Sequence, residues 1–327
     1  MSGKVLFAQD MDDAGKKLLA ENGFEIVMAP QEDPELMKKL IVDCDAVFSK
    51  TFFLSEEILK AGKKLKVVAK HGVGIDNVVD LETATRLGLY VVNTPQANAS
   101  SVAEHTVCGM LAFAEKIVQM HHAAQIADFE QQNCGGMHEI GGKTLGLIGL
   151  GNIGRRVAKI AAQGFDMKIL GYDPFVKADT LPDYIELTDD MNRVLQEGDF
   201  VSLHLGATKD TVGMISKKQF AEMKPTAVFL NLARGALVVE ADLVEALKAG
   251  QIAGAVLDVF AQEPVKADNP LLHLDNVLLS PHSAALTNEA MFRMSYDGAR
   301  GIVEILTGQK PTWCVNYDTV SRQRANA

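Results

Sequence analysis

Thr144-Leu145-Gly146-Leu147-Ile148-Gly149-Leu150-Gly151-Asn152-Ile153-Gly154 is the stretch on which the fold turns. A short β-prone run leads into G-x-G-x-x-G, and the helical pattern of Arg155 to Gln163 follows at once, the context in which such glycines bind a dinucleotide. Gly149 permits the tight turn, Gly151 lets the backbone approach a pyrophosphate, and Gly154 admits close packing of helix on strand. The helix N-terminus adds unbonded amides and a positive dipole. The next strand pattern, Met167 to Tyr172, ends at Asp173, an acid at about the 20-residue offset expected of a group that bonds ribose hydroxyls. At about 4 Å a carboxylate and a 2'-phosphate repel by a few kcal/mol even at an intermediate dielectric, so Asp173 favours NAD over NADP.

Outward from this loop, β-rich runs alternate with helical ones. Before it come Val5 to Ala8, Phe24 to Met28, Ala46 to Phe48, Leu65 to Ala69 and Tyr90 to Val92. After it come Phe200 to Leu203, Ala227 to Leu232, Ile252 to Val259 and Val277 to Ser280. Such alternation implies parallel sheets with crossover helices, and the two series predict an α/β protein of two doubly wound domains. Between them Ser101-Val102-Ala103-Glu104 has the form of a capping box opening a helix that is apolar nearly all round from Val107 to Val118, which suggests burial against another domain or subunit.

Composition narrows the partners. The 327 residues carry a net charge of -10 with 47% apolar and 23% charged residues, an ordinary globular balance. Without a Lys/Arg-rich run, neither nucleic acid nor an anionic membrane is expected as the main partner. Met1 to Ala8 lacks the regions of a secretory signal, and no apolar stretch reaches the ~18 residues of a membrane span. Cys44, Cys108, Cys134 and Cys314 are scattered without a C-x-x-C pair, which fits a reducing cytoplasm. His121-His122 does not predict a metal site, because adjacent helical residues do not share a face.

Ligands of doubly wound sheets sit beyond the carboxyl ends of strands. Three candidates follow apolar runs there: Arg234, Glu263 and His282. Removing hydride from a hydroxyl-bearing carbon needs a base for the hydroxyl proton, a role that suits His282. A carboxylate on its other ring nitrogen, Glu263, would fix the tautomer and stabilise imidazolium. The rigid fork of Arg234 can pair with a substrate carboxylate and polarise the reacting carbonyl. Taken singly each also reads as a surface cation, a loop acid and a turn residue.

With these residues in place the chain resembles the D-isomer-specific 2-hydroxyacid dehydrogenase family, and within it the members like D-3-phosphoglycerate dehydrogenase that lack a regulatory domain. The matching stretches are Lys70-His71-Gly72-Val73-Gly74-Ile75-Asp76-Asn77, Asn93-Thr94-Pro95, Val102-Ala103-Glu104-His105-Thr106, the glycine loop, Asn231-Leu232-Ala233-Arg234-Gly235, Leu257-Asp258-Val259-Phe260 with Glu263-Pro264, and Ser280-Pro281-His282. The resemblance implies a Rossmann-type NAD domain over about 99–287 and a flavodoxin-like substrate domain from 1–98 with 288–327, with a cleft between them. It implies that Arg234, Glu263 and His282 are catalytic and that Asn152 and Ile153 lie at the pyrophosphate. It sets Asp258 with Leu232 and Ala233 near the nicotinamide, and gives Val73, Thr106, Leu205, Ser283, Ala284 and Ala285 further cofactor contacts. The amides of Val73 and Gly74 would cradle the substrate carboxylate, and a homodimer is expected.

The activity implied is hydride transfer between NAD(H) and C2 of a small D-2-hydroxy or 2-keto acid, phosphoglycerate-like or hydroxypyruvate/glyoxylate-like. Lys50 and Lys70 stand where phosphoglycerate-type members carry cations, often arginine. They read equally as solvated lysines in a lysine-rich stretch. His71 and Phe52-Phe53 depart from the small or charged residues expected there and would narrow the pocket. The alternative is an NAD(H)-sensing interaction protein of the corepressor kind, which the intact Arg234, Glu263 and His282 disfavour.

Overall fold

In the computed structural model, which describes residues 3–325, the chain forms two compact units. One comprises the residues up to Asn98 with those from Ala285 onward, the other Ala99 to Ala284.

The first unit is built on five parallel strands, β1 (Lys4–Phe7), β2 (Glu25–Met28), β3 (Ala46–Ser49), β4 (Val67–Lys70) and β5 (Tyr90–Val92), in the order β2-β1-β3-β4-β5. This is the flavodoxin-like order, with its switch point between β1 and β3. Val5 and Phe7 join one apolar cluster with Phe48, Val67 and Ala69, while Leu6 and Ala8 join another with Val47 and Val68. Side chains alternate across a strand, so burial on both faces demands the unbroken apolar runs seen in the sequence.

The tail belongs with this sheet for two reasons. Ala299 and Ile302 of the helix Asn288–Leu306 pack into the cluster with Phe7 and Phe48. The buried Asn316 accepts from the Val91 N–H at 2.9 Å and donates to the Leu89 carbonyl at 2.9 Å, meeting backbone groups at the open edge of β5. Edge groups buried without partners would destabilise the fold by about 1–3 kcal/mol each.

The second unit has seven parallel strands, β6 (Thr144–Ile148), β7 (Lys168–Tyr172), β8 (Ile185–Thr188), β9 (Phe200–Leu203), β10 (Val228–Asn231), β11 (Gly254–Leu257) and β12 (Val277–Leu279), in the order β12-β11-β10-β9-β6-β7-β8. Counted from β6, this is the 3-2-1-4-5-6 Rossmann order with one strand added. The order reverses between β6 and β9, which sets the ligand crevice at their carboxyl ends.

Two local expectations change. β8 is absent from the strands predicted by sequence. It is four residues long, pairs only with β7 at the sheet edge, and exposes Glu186, so its apolar signal is weak. The helix expected from Ser101 begins at Ala99, and Ser101 lies inside it, 4% exposed, so it does not cap that helix. Its C-terminal half also divides. The first helix ends at Ala114, Lys116 takes a left-handed conformation at φ 49°, and a second helix runs Ile117–Gln125. Among the described residues no helix is long and apolar enough to cross a membrane.

Candidate active site

At the end of β6 the glycine loop meets the requirements for a pyrophosphate cradle. Gly149 has φ +100°, and a Cβ there would lie 2.4 Å from the His204 carbonyl oxygen beyond β9. At Gly154 a Cβ would fall 2.1 Å from the Gly149 carbonyl oxygen, so both positions are closed by the unit's own backbone. Gly151 is different: a Cβ would meet nothing within 4 Å, and no side chain caps the helix Asn152–Phe165 that it precedes. Gly151 and Asn152 are exposed and Ile153 is half-buried, so the helix start has the room and the positive dipole end that an anionic group needs.

Asp173, just past β7, accepts from the Leu150 N–H at 2.9 Å through one oxygen and from the Phe175 N–H at 2.9 Å through the other. Its carboxylate is thus held against the glycine loop with lone pairs left over, since an ionised carboxylate offers about four acceptor sites. Leu205 follows β9 beside the same loop and is half-buried.

The three candidates for chemistry come together at the ends of neighbouring strands. Glu263 Oε2 lies 2.6 Å from His282 Nδ1, while Glu263 Oε1 accepts from the Phe260 N–H at 3.0 Å. Burial pushes the Glu263 carboxyl up, but the bonds from His282 and the Phe260 amide, with the charges of His282 and Arg234, outweigh it. The group is held below the ordinary glutamate range. Arg234 follows β10, and its Nη1 donates to the Ala233 carbonyl at 2.8 Å. Gly235 joins the two loops: a Cβ there would sit 1.8 Å from the Phe260 carbonyl oxygen.

His282 itself sits at φ +52°, a region where a non-glycine residue needs support from its surroundings. Asp258, 1% exposed at the end of β11, supplies that support. Its carbonyl accepts from the His282 N–H at 2.9 Å, and its carboxylate accepts from Ser283 N–H at 2.8 Å, Ala284 N–H at 2.9 Å and Ser280 Oγ at 2.5 Å. His105 Nε2 lies 3.2 Å from that same Ser280 Oγ. Sequence reasoning named Asp258 only through resemblance and missed Ser280 and His105 as supports. No local signal marks them, since Asp258 is followed by Val259-Phe260-Ala261 while Ser280 and His105 lie far along the chain.

Several expected cofactor contacts are less accessible than supposed. Thr106 is 0% exposed and its hydroxyl donates to the Val102 carbonyl at 2.8 Å, an i−4 bond within its own helix, so it presents no surface to a ligand. Leu232 and Ala284 are also buried, whereas Ala233 and Ser283 are half-buried. Ala285 is half-buried in the first unit.

In the first unit the turn after β4 is braced from β5. Asn93 Nδ2 donates to the Val73 carbonyl at 2.8 Å, and Gly72 exchanges bonds with Thr94. Val73 and Gly74 are half-buried, and among the described residues their N–H groups have no protein acceptor. Lys70 is not the solvated cation its lysine-rich surroundings allow. It is 6% exposed and its ammonium donates to the Lys50 carbonyl. His71 lines no open pocket either: it is 3% exposed beside Phe48, ring centroids 6.1 Å apart, and burial followed by the charges of Lys50 and Lys70 pushes its pKa down to about 4. Phe53, 49% exposed, is the aromatic left at the surface. Among the described residues no cluster of three or more His, Cys, Asp or Glu could hold a metal ion.

Comparison with known proteins bears on this geometry. Residues 107–284 match the model of the D-isomer specific 2-hydroxyacid dehydrogenase, NAD binding domain. The D-3-phosphoglycerate dehydrogenase of Archaeoglobus fulgidus is 37% identical over 97% of this chain, which spans 60% of that protein's length. The glyoxylate reductase of Korarchaeum cryptofilum is 36% identical over 98% of both chains. The crystal structure of the TT0316 protein from Thermus thermophilus superimposes with a TM-score of 0.87 at 30% identity, covering 95% of this chain and 99% of that one.

Proposed function

This chain belongs to the D-isomer specific 2-hydroxyacid dehydrogenase family, and on that premise we propose that it transfers hydride between NAD(H) and C2 of a small D-2-hydroxy or 2-keto acid. The observation that carries the reading is the 2.6 Å bond between Glu263 and His282, held at the strand ends of the sheet that bears the glycine loop. With the Nδ1 proton directed to Glu263, the lone pair of His282 rests on Nε2, ready to accept the hydroxyl proton. In the reverse direction, from keto acid to hydroxy acid, the same nitrogen gives a proton to the carbonyl oxygen. Glu263, held ionised, stabilises the imidazolium in between.

Arg234 binds the acid's carboxylate and draws charge from the reacting carbonyl. In the first unit, the Val73 and Gly74 amides are assigned to a carboxylate. Gly151, Asn152 and Ile153 hold the pyrophosphate, and Asp173 the ribose. The dinucleotide supplies the nicotinamide carbon that carries the hydride. Lys50 is assigned to the part of the acid beyond C2, and Asp258 acts by holding the His282 turn.

Four unpaired cysteines suit a reducing compartment such as the cytoplasm, and the net charge of -10 gives no footing for nucleic acid. We assign a homodimer because Ile117, Val118, Ile126 and Phe129 are 55%, 56%, 61% and 69% exposed in the single chain, a run of large apolar side chains that a partner copy would cover. Light scattering should return the mass of two chains, and a monomer at micromolar concentration would refute it.

The test of function is a panel of keto acids, glyoxylate, hydroxypyruvate, phosphohydroxypyruvate and pyruvate, with NADH or NADPH, followed by nicotinamide absorbance. Turnover with NADH is expected. Binding of NADH with no turnover of any acid would favour the sensor reading instead. Asp173→Asn keeps an acceptor for the Leu150 amide but removes the charge, and should lower the NADH over NADPH preference in kcat/KM about tenfold or more, ~1.4 kcal/mol per decade. An unchanged ratio would remove Asp173 from cofactor selection.

A further inference from the structure

Three consecutive backbone N–H groups converge on a single side-chain atom at the top of the first unit's sheet. Gln9 Oε1 accepts from the N–H groups of Lys50 at 2.8 Å, Thr51 at 2.9 Å and Phe52 at 3.2 Å. Gln9 Nε2 donates to Thr51 Oγ1 at 2.6 Å. The carbonyl side of the turn is held as well, because Ser49 Oγ donates to the Phe52 carbonyl at 2.8 Å and the buried Lys70 ammonium donates to the Lys50 carbonyl.

This arrangement exceeds what a turn needs in order to be satisfied. A carboxamide oxygen has two lone pairs, yet three amides point at it. Successive N–H groups aimed at one point form a nest of the kind that takes an anion, and here the chain fills it with its own neutral carbonyl. The location matters too. Gln9 follows β1 and residues 50–53 follow β3, the two strands that flank the switch point where doubly wound sheets bind ligands.

We propose that Gln9 is a positioning residue that sets specificity: by fixing the 50–52 turn it holds Lys50 to recognise a hydrogen-bonding substituent, hydroxyl or phosphate, on C3 of the acid. The proposal rests on the reading of this unit as the substrate-binding one. Gln9 need not touch the substrate. A lysine side chain loses about 2 kcal/mol of rotamer freedom when ordered, and an ordered turn beneath it reduces how much of that is lost on binding. Acids without a C3 substituent gain nothing from that order.

The experiment is calorimetric titration of the NADH-loaded protein with glycolate, D-glycerate and D-3-phosphoglycerate, pairs that cannot react, in the wild type, Gln9→Ala and Gln9→Glu. Amide exchange at residues 50–52 is followed alongside. The wild type should bind one of the two C3-substituted acids about tenfold or more tighter than glycolate, ~1.4 kcal/mol. Gln9→Ala should lose that advantage, exchange its 50–52 amides faster, and change the glycolate Kd less than about threefold, under ~0.7 kcal/mol.

Gln9→Glu keeps the acceptor, so it should restore exchange protection and D-glycerate binding. Its carboxylate beside Lys50 should still weaken D-3-phosphoglycerate, which separates hydroxyl from phosphate recognition. Equal weakening of all three acids in Gln9→Ala would mean a merely structural glutamine. No weakening, or a wild type that binds none of the acids, would also overturn the proposal. If Gln9→Ala fails to fold, the contrast between the two C3-substituted acids in Gln9→Glu still decides. A wild type that discriminates the acids but reduces no keto acid would overturn the oxidoreductase reading and leave this one standing.

Discussion

His282→Ala should lower kcat by about 10³-fold while leaving the Kd for NADH within about threefold, because general acid–base groups contribute some 10²–10⁴ in rate and this one is remote from the pyrophosphate cradle. The variant should also fold. The turn is held by the Asp258 carboxylate on the amides of Ser283 and Ala284 and by the His282 backbone N–H on the Asp258 carbonyl, none of which uses the imidazole. Stopped-flow reduction of a good keto acid gives kcat, and fluorescence titration gives the NADH Kd.

Glu263→Gln makes a companion test. The amide can still bond Nδ1 but no longer stabilises imidazolium, so a loss smaller than that of His282→Ala is expected in kcat, with little change in KM. A kcat unchanged in His282→Ala would end the assignment of the proton-transfer role.

How much of this is legible in the sequence follows from where each signal lives. The glycine loop and Asp173 can be read because their constraints are local. Gly149 needs φ +100°, Gly154 needs contact five residues back, and the acid sits one strand away. The order of strands is legible as a class because both sheets are buried on two faces and each strand is therefore an apolar run. β8 escapes that logic by lying at an edge with one neighbour.

Burial is the least legible property. Lys70 also reads as a solvated lysine and His71 as a residue narrowing the pocket, and only the tertiary fold brings the Lys50 carbonyl and the Phe48 ring to them. Thr106 looks like a ligand contact by motif, yet its hydroxyl is taken by the Val102 carbonyl one helical turn away. Gln9 has no motif at all, since its partners are more than 40 residues away.

Gly235→Ala should produce a loss of kcat/KM of about 10²-fold or more without touching any group that contacts substrate, because a displacement near 1 Å in a catalytic array is enough for that. The added Cβ would lie 1.8 Å from the Phe260 carbonyl oxygen, 2.1 Å from its carbon and 2.7 Å from the Ala261 nitrogen. All three are backbone atoms, so no rotamer change relieves the overlap and the two loops must separate. One loop carries Arg234. The other carries the Phe260 N–H that holds Glu263, and through Glu263 the orientation of His282.

Overpacking of this kind destabilises by about 1–3 kcal/mol, which in a unit of this size lowers Tm by roughly 2–12 °C. Gly164→Ala is the control: a Cβ there meets nothing within 4 Å, and its place in the helix Asn152–Phe165 favours alanine by about 0.5–1 kcal/mol. The discriminating pattern is therefore a Gly235→Ala protein that still binds NADH, melts earlier and turns over far more slowly, beside a Gly164→Ala protein that neither melts earlier nor turns over more slowly. If Gly235→Ala kept wild-type Tm and kcat/KM, the Arg234 and Glu263 loops could not be packed backbone to backbone, and the geometry that unites the guanidinium with the carboxylate–imidazole pair would be wrong.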